Sequence, residues 1–143
     1  MRAVLLLGAL AGLGLAQARA GEASSPGAAP GAGDHAPSLF ASQIAPLLAE
    51  NCATCHLTGE EAGHMSLVPD NAWASLVGVA VSEAPGLVRV AAGRPDASYI
   101  VMKLEGTQVA HGGTGARMPF GAPPLSADQI ALVRRWIAQG AKP

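Results

Sequence analysis

Both cysteines of this chain lie in one short stretch, and a histidine follows the second of them directly. The stretch reads NCATCHLTG and spans residues 51–59. Residues three apart on a helical turn project from the same face, so the sulfurs of Cys52 and Cys55 can reach one bound group together. The next residue, His56, can offer an imidazole nitrogen to that group. The residue types and their spacing therefore predict a site in which two thiols and one imidazole hold a single ligand.

The spacing C-x-x-C-H is the pattern of covalent c-type haem attachment. In that chemistry Cys52 and Cys55 form thioethers with the two vinyl groups of one porphyrin, and His56 binds the iron as the proximal ligand. Aromatic residues make up only 3% of the chain, so a haem would also supply apolar volume to a core with few large side chains. We expect one covalently bound haem c.

Three other interpretations of the cysteine pair remain open on the sequence alone. Cys52 and Cys55 could form the redox-active disulfide of an exported thiol oxidoreductase, although the flanking βα pattern of that class is absent. They could bind zinc, but a zinc site would require a second, closely spaced ligand pair, and the other histidines are scattered. The arrangement could also be accidental. The remaining histidines are His35, His64 and His111.

The second axial ligand of such an iron would decide what the haem does. Met118 is the candidate, because it lies in an irregular Gly- and Pro-rich segment and is followed by Pro119, which has no N–H to satisfy. Met102 falls within an amphipathic helical pattern that indicates core packing, and Met65 lies close to the C-x-x-C-H turn. His111 is the competing ligand, and an open site is the third possibility.

Groups that would support a haem are less specific in the sequence. The ring N–H of His56 should donate to a carbonyl or carboxylate, for which Pro69 is a candidate. Haem propionates prefer cationic or N–H donors. The candidates for that role are Arg94, Arg117, Tyr99 and Trp136.

The ends of the sequence indicate how the chain is organised. Residues 1–20 have the parts of a secretory signal peptide, with Arg2 before an apolar run over 4–15 and a small-x-small cleavage site at 18–20. Residues 21–37 are rich in Gly, Ala, Ser and Pro and predict a disordered linker. Residues 38–143 then form one domain. The apolar run is too short to span a bilayer, so we expect a periplasmic protein without a membrane span in its mature form.

The charge balance excludes some classes of partner. The formal net charge is −1 at neutral pH, which offers no basic surface for nucleic acid or an anionic membrane. We expect redox partner proteins instead. Nothing in the sequence indicates an oligomer, and a monomer is the expectation.

Four helices are expected to position the site. Apolar spacing over 39–52 predicts a first helix that runs into Cys52 and is kinked or restarted at Pro46. A second helix should begin with Asp70 or Asn71 as its cap. The segment 86–93 predicts extended chain between glycines.

The third and fourth helices have clearer ends. The third is expected from Pro95 to just before Gly106. The fourth is specified by a capping box of Ser126 and Gln129, and by a hydrophobic staple of Leu125 with Ile130. The segment between these two helices, residues 107–124, is expected to be a long functional loop.

Taken together, four stretches resemble class I c-type cytochromes, most closely the planctomycete-type cytochrome c domain. They read IAPLLAENCATCH, AGRPDASYIVMKLEG, RMPFGAPPLS and ADQIALVRRWIAQGA. The resemblance implies an all-α, cytochrome c-like small helical domain wrapped around one covalently bound haem. It implies Cys52 and Cys55 as thioether anchors, His56 as proximal ligand and Met118 as distal ligand. The chain begins its third helix with Arg-Pro-Asp, where that family more usually has Gly-Asp-Pro.

The function expected from this reading is that of a periplasmic mono-haem c-type cytochrome, which transfers single electrons between redox partners and is not itself an enzyme. The alternative is a haem c subunit of an oxidoreductase complex or a haem-based small-ligand sensor.

Overall fold

The computed structural model describes residues 36–143, so the predicted signal peptide and almost all of the predicted linker lie outside the described residues. Within the described part the chain forms four α-helices and no strand, which confirms the all-α expectation. The helices are α1 (Ala45–Asn51), α2 (Pro69–Leu76), α3 (Tyr99–Glu105) and α4 (Ala127–Ala138). None of the described helices is long and apolar enough to cross a membrane.

The first helix changes its hydrogen-bonding register at Pro46, as the sequence predicted. A π-helical turn over Phe40–Ile44 leads directly into α1, and the N–H of Ala45 donates to the carbonyl of Phe40. Pro46 has no N–H, and it is tolerated because it falls in the first turn of the α-helical part. The helix then ends at Asn51, immediately before the first cysteine.

The predicted side-chain cap of the second helix is wrong. The helix begins at Pro69, with Val68 in the N-cap position and no side-chain cap. Proline suits the first helical position because its fixed φ is already helical and no N–H is lost there. Asn71 instead donates its Nδ2 to the hydroxyl of Ser66, 3.2 Å away, and so tethers the preceding loop to α2.

The segment 86–93, which was predicted to be extended, pairs with the chain that follows α2. Val90 forms an isolated parallel bridge with Val77, and Val88 forms an antiparallel bridge with Ala80. The N–H of Arg89 donates to the carbonyl of Val79 at 2.8 Å. These contacts fix the chain just after α2 and present the side chain of Arg89 toward that helix.

The start of the third helix is more irregular than predicted, because Pro95–Ala97 forms a separate 3-10 turn before α3. Its end is as predicted: Gly106 has φ +78, a conformation that glycine adopts without strain. The capping box of α4 is confirmed, since Ser126 accepts from the N–H of Gln129 and the Gln129 side chain accepts from the N–H of Ser126.

The core joins all four helices around a few large side chains. Phe40 and Trp136 lie with ring centroids 5.2 Å apart, and Trp136 donates its Nε1 to the carbonyl of Lys142. Trp73 donates to the carbonyl of Ala141 at 2.7 Å, which fastens the C-terminal end to α2. The fully buried members of this core include Ile44, Leu48, Leu76, Val90, Val101, Val133, Trp136 and Ile137.

Candidate functional site

The three residues of the C-x-x-C-H pattern lie on one turn that caps α1. Cys52 is the C-cap residue, and its N–H continues the helix by donating to the carbonyl of Leu48. The carbonyl of Cys52 then accepts from the N–H of Cys55 at 3.1 Å and from the N–H of His56 at 3.0 Å. The local hydrogen bonds therefore hold both thiols and the imidazole on a single turn.

The two thiols have different surroundings. Cys52 is half-buried and packs against the main core, whereas Cys55 is exposed, and neither forms a disulfide. Burial, with a smaller contribution from Cys55, raises the pKa of the Cys52 thiol to about 11. Cys52 is thus protonated at neutral pH, unlike the thiolate of a catalytic or redox-active cysteine, whose pKa is lowered.

The imidazole of His56 is half-buried, and its Nδ1 is buried without a hydrogen-bond partner. Burial lowers the pKa of His56, while the charge of Glu61 and the carbonyl of Ala62 act in the opposite direction. The neutral ring that results is the form that binds metals. No hydrogen bond in the described structure joins His56 to Pro69, the partner proposed from the sequence.

The loop after His56 folds back on itself. The N–H of Leu67 donates to the carbonyl of His56 at 2.7 Å, and the Ser66 hydroxyl donates to the carbonyl of Leu57 at the same distance. These two bonds bring the ends of the segment 57–66 together. His56 therefore lies at the base of a closed loop rather than at the start of a free segment.

A carboxylate organises the first part of this loop. Glu61 accepts from the N–H groups of Thr58 and Gly59 and from the Thr58 hydroxyl. Hydrogen bonds from its own N–H and from these donors lower the pKa of Glu61 to about 2. The sequence contained a signal for this arrangement, because Thr58-x-x-Glu61 has the spacing of a capping box.

Met118 lies in the long loop that follows α3, and its N–H donates to the carbonyl of Lys103 at 2.8 Å. The neighbouring Arg117 donates its Nε to the carbonyl of Leu104 at 2.7 Å. The side chain of Met118 is half-buried. No hydrogen bond of the described residues joins this loop to the 52–56 turn, so the structure leaves the pairing of Met118 with His56 as a prediction.

The rest of the long loop is anchored on α3. Lys103 donates its Nζ to the carbonyl of Thr114 at 3.1 Å, and Gln108 donates its Nε2 to the carbonyl of Gly115 at 2.8 Å. Lys103 also lies 3.7 Å from a carboxylate oxygen of Glu83. The segment that carries Met118 is consequently held by several side chains.

The other candidate ligands and donors lie in mixed environments. Met102 is only 4% exposed and packs in a small cluster with Tyr99, as expected of a core residue. His111 is exposed at the end of a 3-10 turn over Gln108–His111. Of the propionate candidates, Arg94 is exposed, Tyr99 donates to Glu83, and Trp136 and Arg117 donate to the main-chain carbonyls named above.

Exposed apolar side chains are concentrated near the candidate ligands in sequence. Among the described residues three large hydrophobic side chains are exposed, namely Leu57 at 52%, Val109 at 68% and Phe120 at 75%. Leu57 directly follows His56, and the other two lie in the loop that carries Met118. Exposed apolar surface often marks the place where a ligand or partner binds.

One residue near the site was missed by sequence reasoning. Arg89 donates to the carbonyls of Ser75, Gly63 and His64, and so contacts both α2 and the loop after His56. No local sequence pattern predicts these hydrogen bonds of Arg89, because the acceptors are main-chain atoms 14, 26 and 25 residues away in the chain.

Comparison with known proteins identifies no relative: no family model, curated protein or solved structure matches this chain. Among the described residues no group of three or more His, Cys, Asp or Glu side chains is arranged to hold a metal ion. The donor set that does come together is two thiols and one neutral imidazole. That set suits a cofactor bound through sulfur, with its metal bound through nitrogen.

Proposed function

We propose that this protein is a mono-haem c-type cytochrome that transfers single electrons between redox partner proteins. The observation that carries the proposal is the turn after α1, where the carbonyl of Cys52 binds the N–H groups of both Cys55 and His56. A single turn with two free thiols and an adjacent imidazole matches the C-x-x-C-H pattern of covalent haem attachment.

The surroundings of the turn support this choice. Neither thiol is bound in a disulfide, and Cys52 lies against the core while Cys55 is exposed, so both sulfurs would be available to hold a porphyrin. His56 is neutral, as a ligand to iron must be. The exposed Leu57, Val109 and Phe120 would gain an apolar partner if a haem covered them.

The burial of Cys52 argues against that residue as the nucleophile of a thiol oxidoreductase. Such an enzyme depends on a cysteine whose pKa is lowered, so that a thiolate is present at neutral pH. Burial instead raises the pKa of Cys52 to about 11. A thiol with this property can still be consumed in a thioether bond.

The protein residues would have distinct roles in this proposal. Cys52 and Cys55 would hold the haem, His56 would be its proximal ligand, and Met118 would be its distal ligand. When bound, the haem supplies an iron that cycles between Fe(III) and Fe(II), and a thioether ligand favours the reduced form relative to a second histidine. The several hydrogen bonds between the Met118 loop and α3 would keep that ligand in place.

The proposal also includes the location and the partners. A chain whose first 20 residues resemble a secretory signal would be exported to the periplasm, where covalent haem attachment and redox partner proteins would be encountered. The charge of −1 favours partners recognised by shape and apolar contact over strongly charged ones.

Haem attachment is tested by the intact mass of the exported protein and by its pyridine haemochrome spectrum. After expression in a host that attaches haem c, we expect the mass of the mature chain plus one haem. The variant Cys52→Ser/Cys55→Ser should have the mass of the polypeptide alone. A wild-type protein with only the polypeptide mass would refute the proposed function.

The distal ligand is tested with Met118→Ala. We expect this variant to lose the weak charge-transfer band of a Met–Fe(III) bond and to bind carbon monoxide in the ferrous state. The matched control is Met102→Leu, because Met102 is a buried core methionine on α3. Retention of the band in Met118→Ala would exclude Met118 as the ligand. Rapid binding of carbon monoxide by the wild type would favour the ligand sensor.

A further inference from the structure

We propose that Arg89 is a positioning residue of the haem site, which ties the loop after His56 to α2 and thereby holds that loop against the imidazole. This inference deepens the proposed function and rests on it. It starts from the guanidinium, which donates three hydrogen bonds, all of them to main-chain carbonyls. They run from Nη1 to Ser75 at 2.7 Å and from Nη2 to Gly63 at 2.6 Å and His64 at 3.0 Å.

The position of Arg89 itself is well fixed. Its N–H donates to the carbonyl of Val79 at 2.8 Å, and its own carbonyl accepts from the N–H of Ile100 at 3.0 Å. The side chain is half-buried, and among the described residues it takes part in no ion pair. An arginine whose N–H groups donate to main-chain oxygens instead of a carboxylate acts as a cross-link between chain segments.

The loop that Arg89 holds approaches the histidine ring closely. A Cβ added to Gly63 would lie 3.8 Å from Cε1 of His56. Gly63 is also the residue whose carbonyl accepts from Nη2 of Arg89 at 2.6 Å. The main chain at Gly63 therefore lies beside the imidazole, and Arg89 binds it directly.

The main chain that Arg89 binds has an unusual conformation. Gly63 has φ +86 and His64 has φ +48, so two successive residues adopt left-handed conformations. A non-glycine residue in this region is strained and persists where the surroundings hold it. Both carbonyls that Arg89 binds on this loop belong to these two residues. The opposite end of the clamp is Ser75, whose hydroxyl also accepts from the N–H of Ser66.

The arrangement gives Arg89 a defined consequence for the site. Orientation of a ligating histidine ring is set by the groups around it, and loss of such a group loosens the ligand. Replacing Arg89 frees the 62–64 main chain, which can then move away from the His56 ring. The change should be local, since the closing bond from Leu67 to His56 and the core of α3 and α4 do not involve the guanidinium.

The test compares Arg89→Gln and Arg89→Lys with the wild type in the haem-loaded protein. Arg135→Gln is the matched control, because it removes the same charge from an exposed position of α4. Two quantities are measured: amide hydrogen exchange of the segment 57–67, and the hyperfine-shifted haem methyl resonances of the ferric protein, which depend on the orientation of the axial histidine ring.

We expect exchange of 57–67 to be at least about tenfold faster in Arg89→Gln, because a hydrogen bond to a charged donor contributes a factor of about ten or more to local protection. Arg89→Lys keeps the charge but not the planar array of donors, so its exchange rate should lie between those of the wild type and Arg89→Gln. Both variants should show a changed pattern of haem methyl shifts, and Arg135→Gln should show none.

The proposal is overturned if both Arg89 variants keep the wild-type methyl pattern, even where exchange becomes faster, since Arg89 would then stabilise the loop without orienting His56. Should Arg89→Gln not fold, the same criterion applies to Arg89→Lys. Failure of the proposed function is recognised separately, by a wild-type protein without haem. In that case the exchange of 57–67 and the NMR signals of the His56 ring replace the methyl pattern as the deciding measurements.

Discussion

Substitution of Gly63 by alanine tests how closely the loop after His56 packs at Gly63, where Met65 is the nearest neighbour. Gly63 has φ +86, and an added Cβ would lie 2.8 Å from Cε of Met65 and 3.8 Å from Cε1 of His56. The left-handed conformation costs an L-residue about 1–2 kcal/mol, and crowding of a packed site adds about 1 kcal/mol or more. Alanine also restricts the unfolded chain more than glycine does, which stabilises the folded state by about 0.4–1 kcal/mol.

The net expectation for Gly63→Ala is a loss of about 1–3 kcal/mol in the free energy of unfolding, measured by urea denaturation. Gly121→Ala is the matched control, because Gly121 has φ +73 and no atom lies within 4 Å of the added Cβ. That variant carries the backbone cost alone, about 0–1.6 kcal/mol from the same figures. The difference between the two variants measures the overlap of the added Cβ with the thioether end of Met65.

A double-mutant cycle separates the two neighbours. If the overlap is with the thioether end of Met65, Gly63→Ala should cost less in a Met65→Ala background than in the wild type. Equal losses for Gly63→Ala and Gly121→Ala would contradict the reasoning, since the thioether end of Met65 would then make room for the added Cβ without cost.

Three further predictions concern the same turn and the last helix. Glu61 has a pKa of about 2 instead of 4.5, so its carboxylate stabilises the loop fully above about pH 4.5 and progressively less as the pH falls toward 2. In Glu61→Gln the amides of residues 58–59 should exchange faster than in the wild type already at pH 7. The control Glu60→Gln should leave their exchange unchanged. Ser126→Ala removes one half of the capping box and should lower the free energy of unfolding by about 1 kcal/mol in urea titrations, and an unchanged midpoint would contradict the cap. In protein without haem, alkylation at pH 8 should modify the exposed Cys55 well before Cys52, as followed by peptide mass spectrometry. The reason is that a pKa of about 11 leaves roughly one Cys52 thiol in a thousand ionised. Equal rates of modification would refute the burial of Cys52.

Features governed by neighbouring residues could be predicted from the sequence. The C-x-x-C-H turn was predictable because a span of five residues leaves the chain few ways to place its side chains, and hydrogen bonds to the Cys52 carbonyl complete the turn. The capping box of Ser126 and Gln129 and the left-handed Gly106 are also local, and both are confirmed. The predicted cap at Asp70 or Asn71 is wrong because a proline one residue earlier starts the helix better.

Features that depend on distant contacts could be found only in the folded chain. Arg89 meets the His56 loop because the extended segment pairs with residues after α2, and an arginine gives no sequence signal of which carbonyls it will bind. The buried Nδ1 of His56 and the raised pKa of Cys52 are likewise products of packing. The sequence by itself determined which residues share the turn, since chain geometry acts over a few bonds. Only the tertiary structure decided what surrounds that turn, because burial and charge depend on segments that folding brings together.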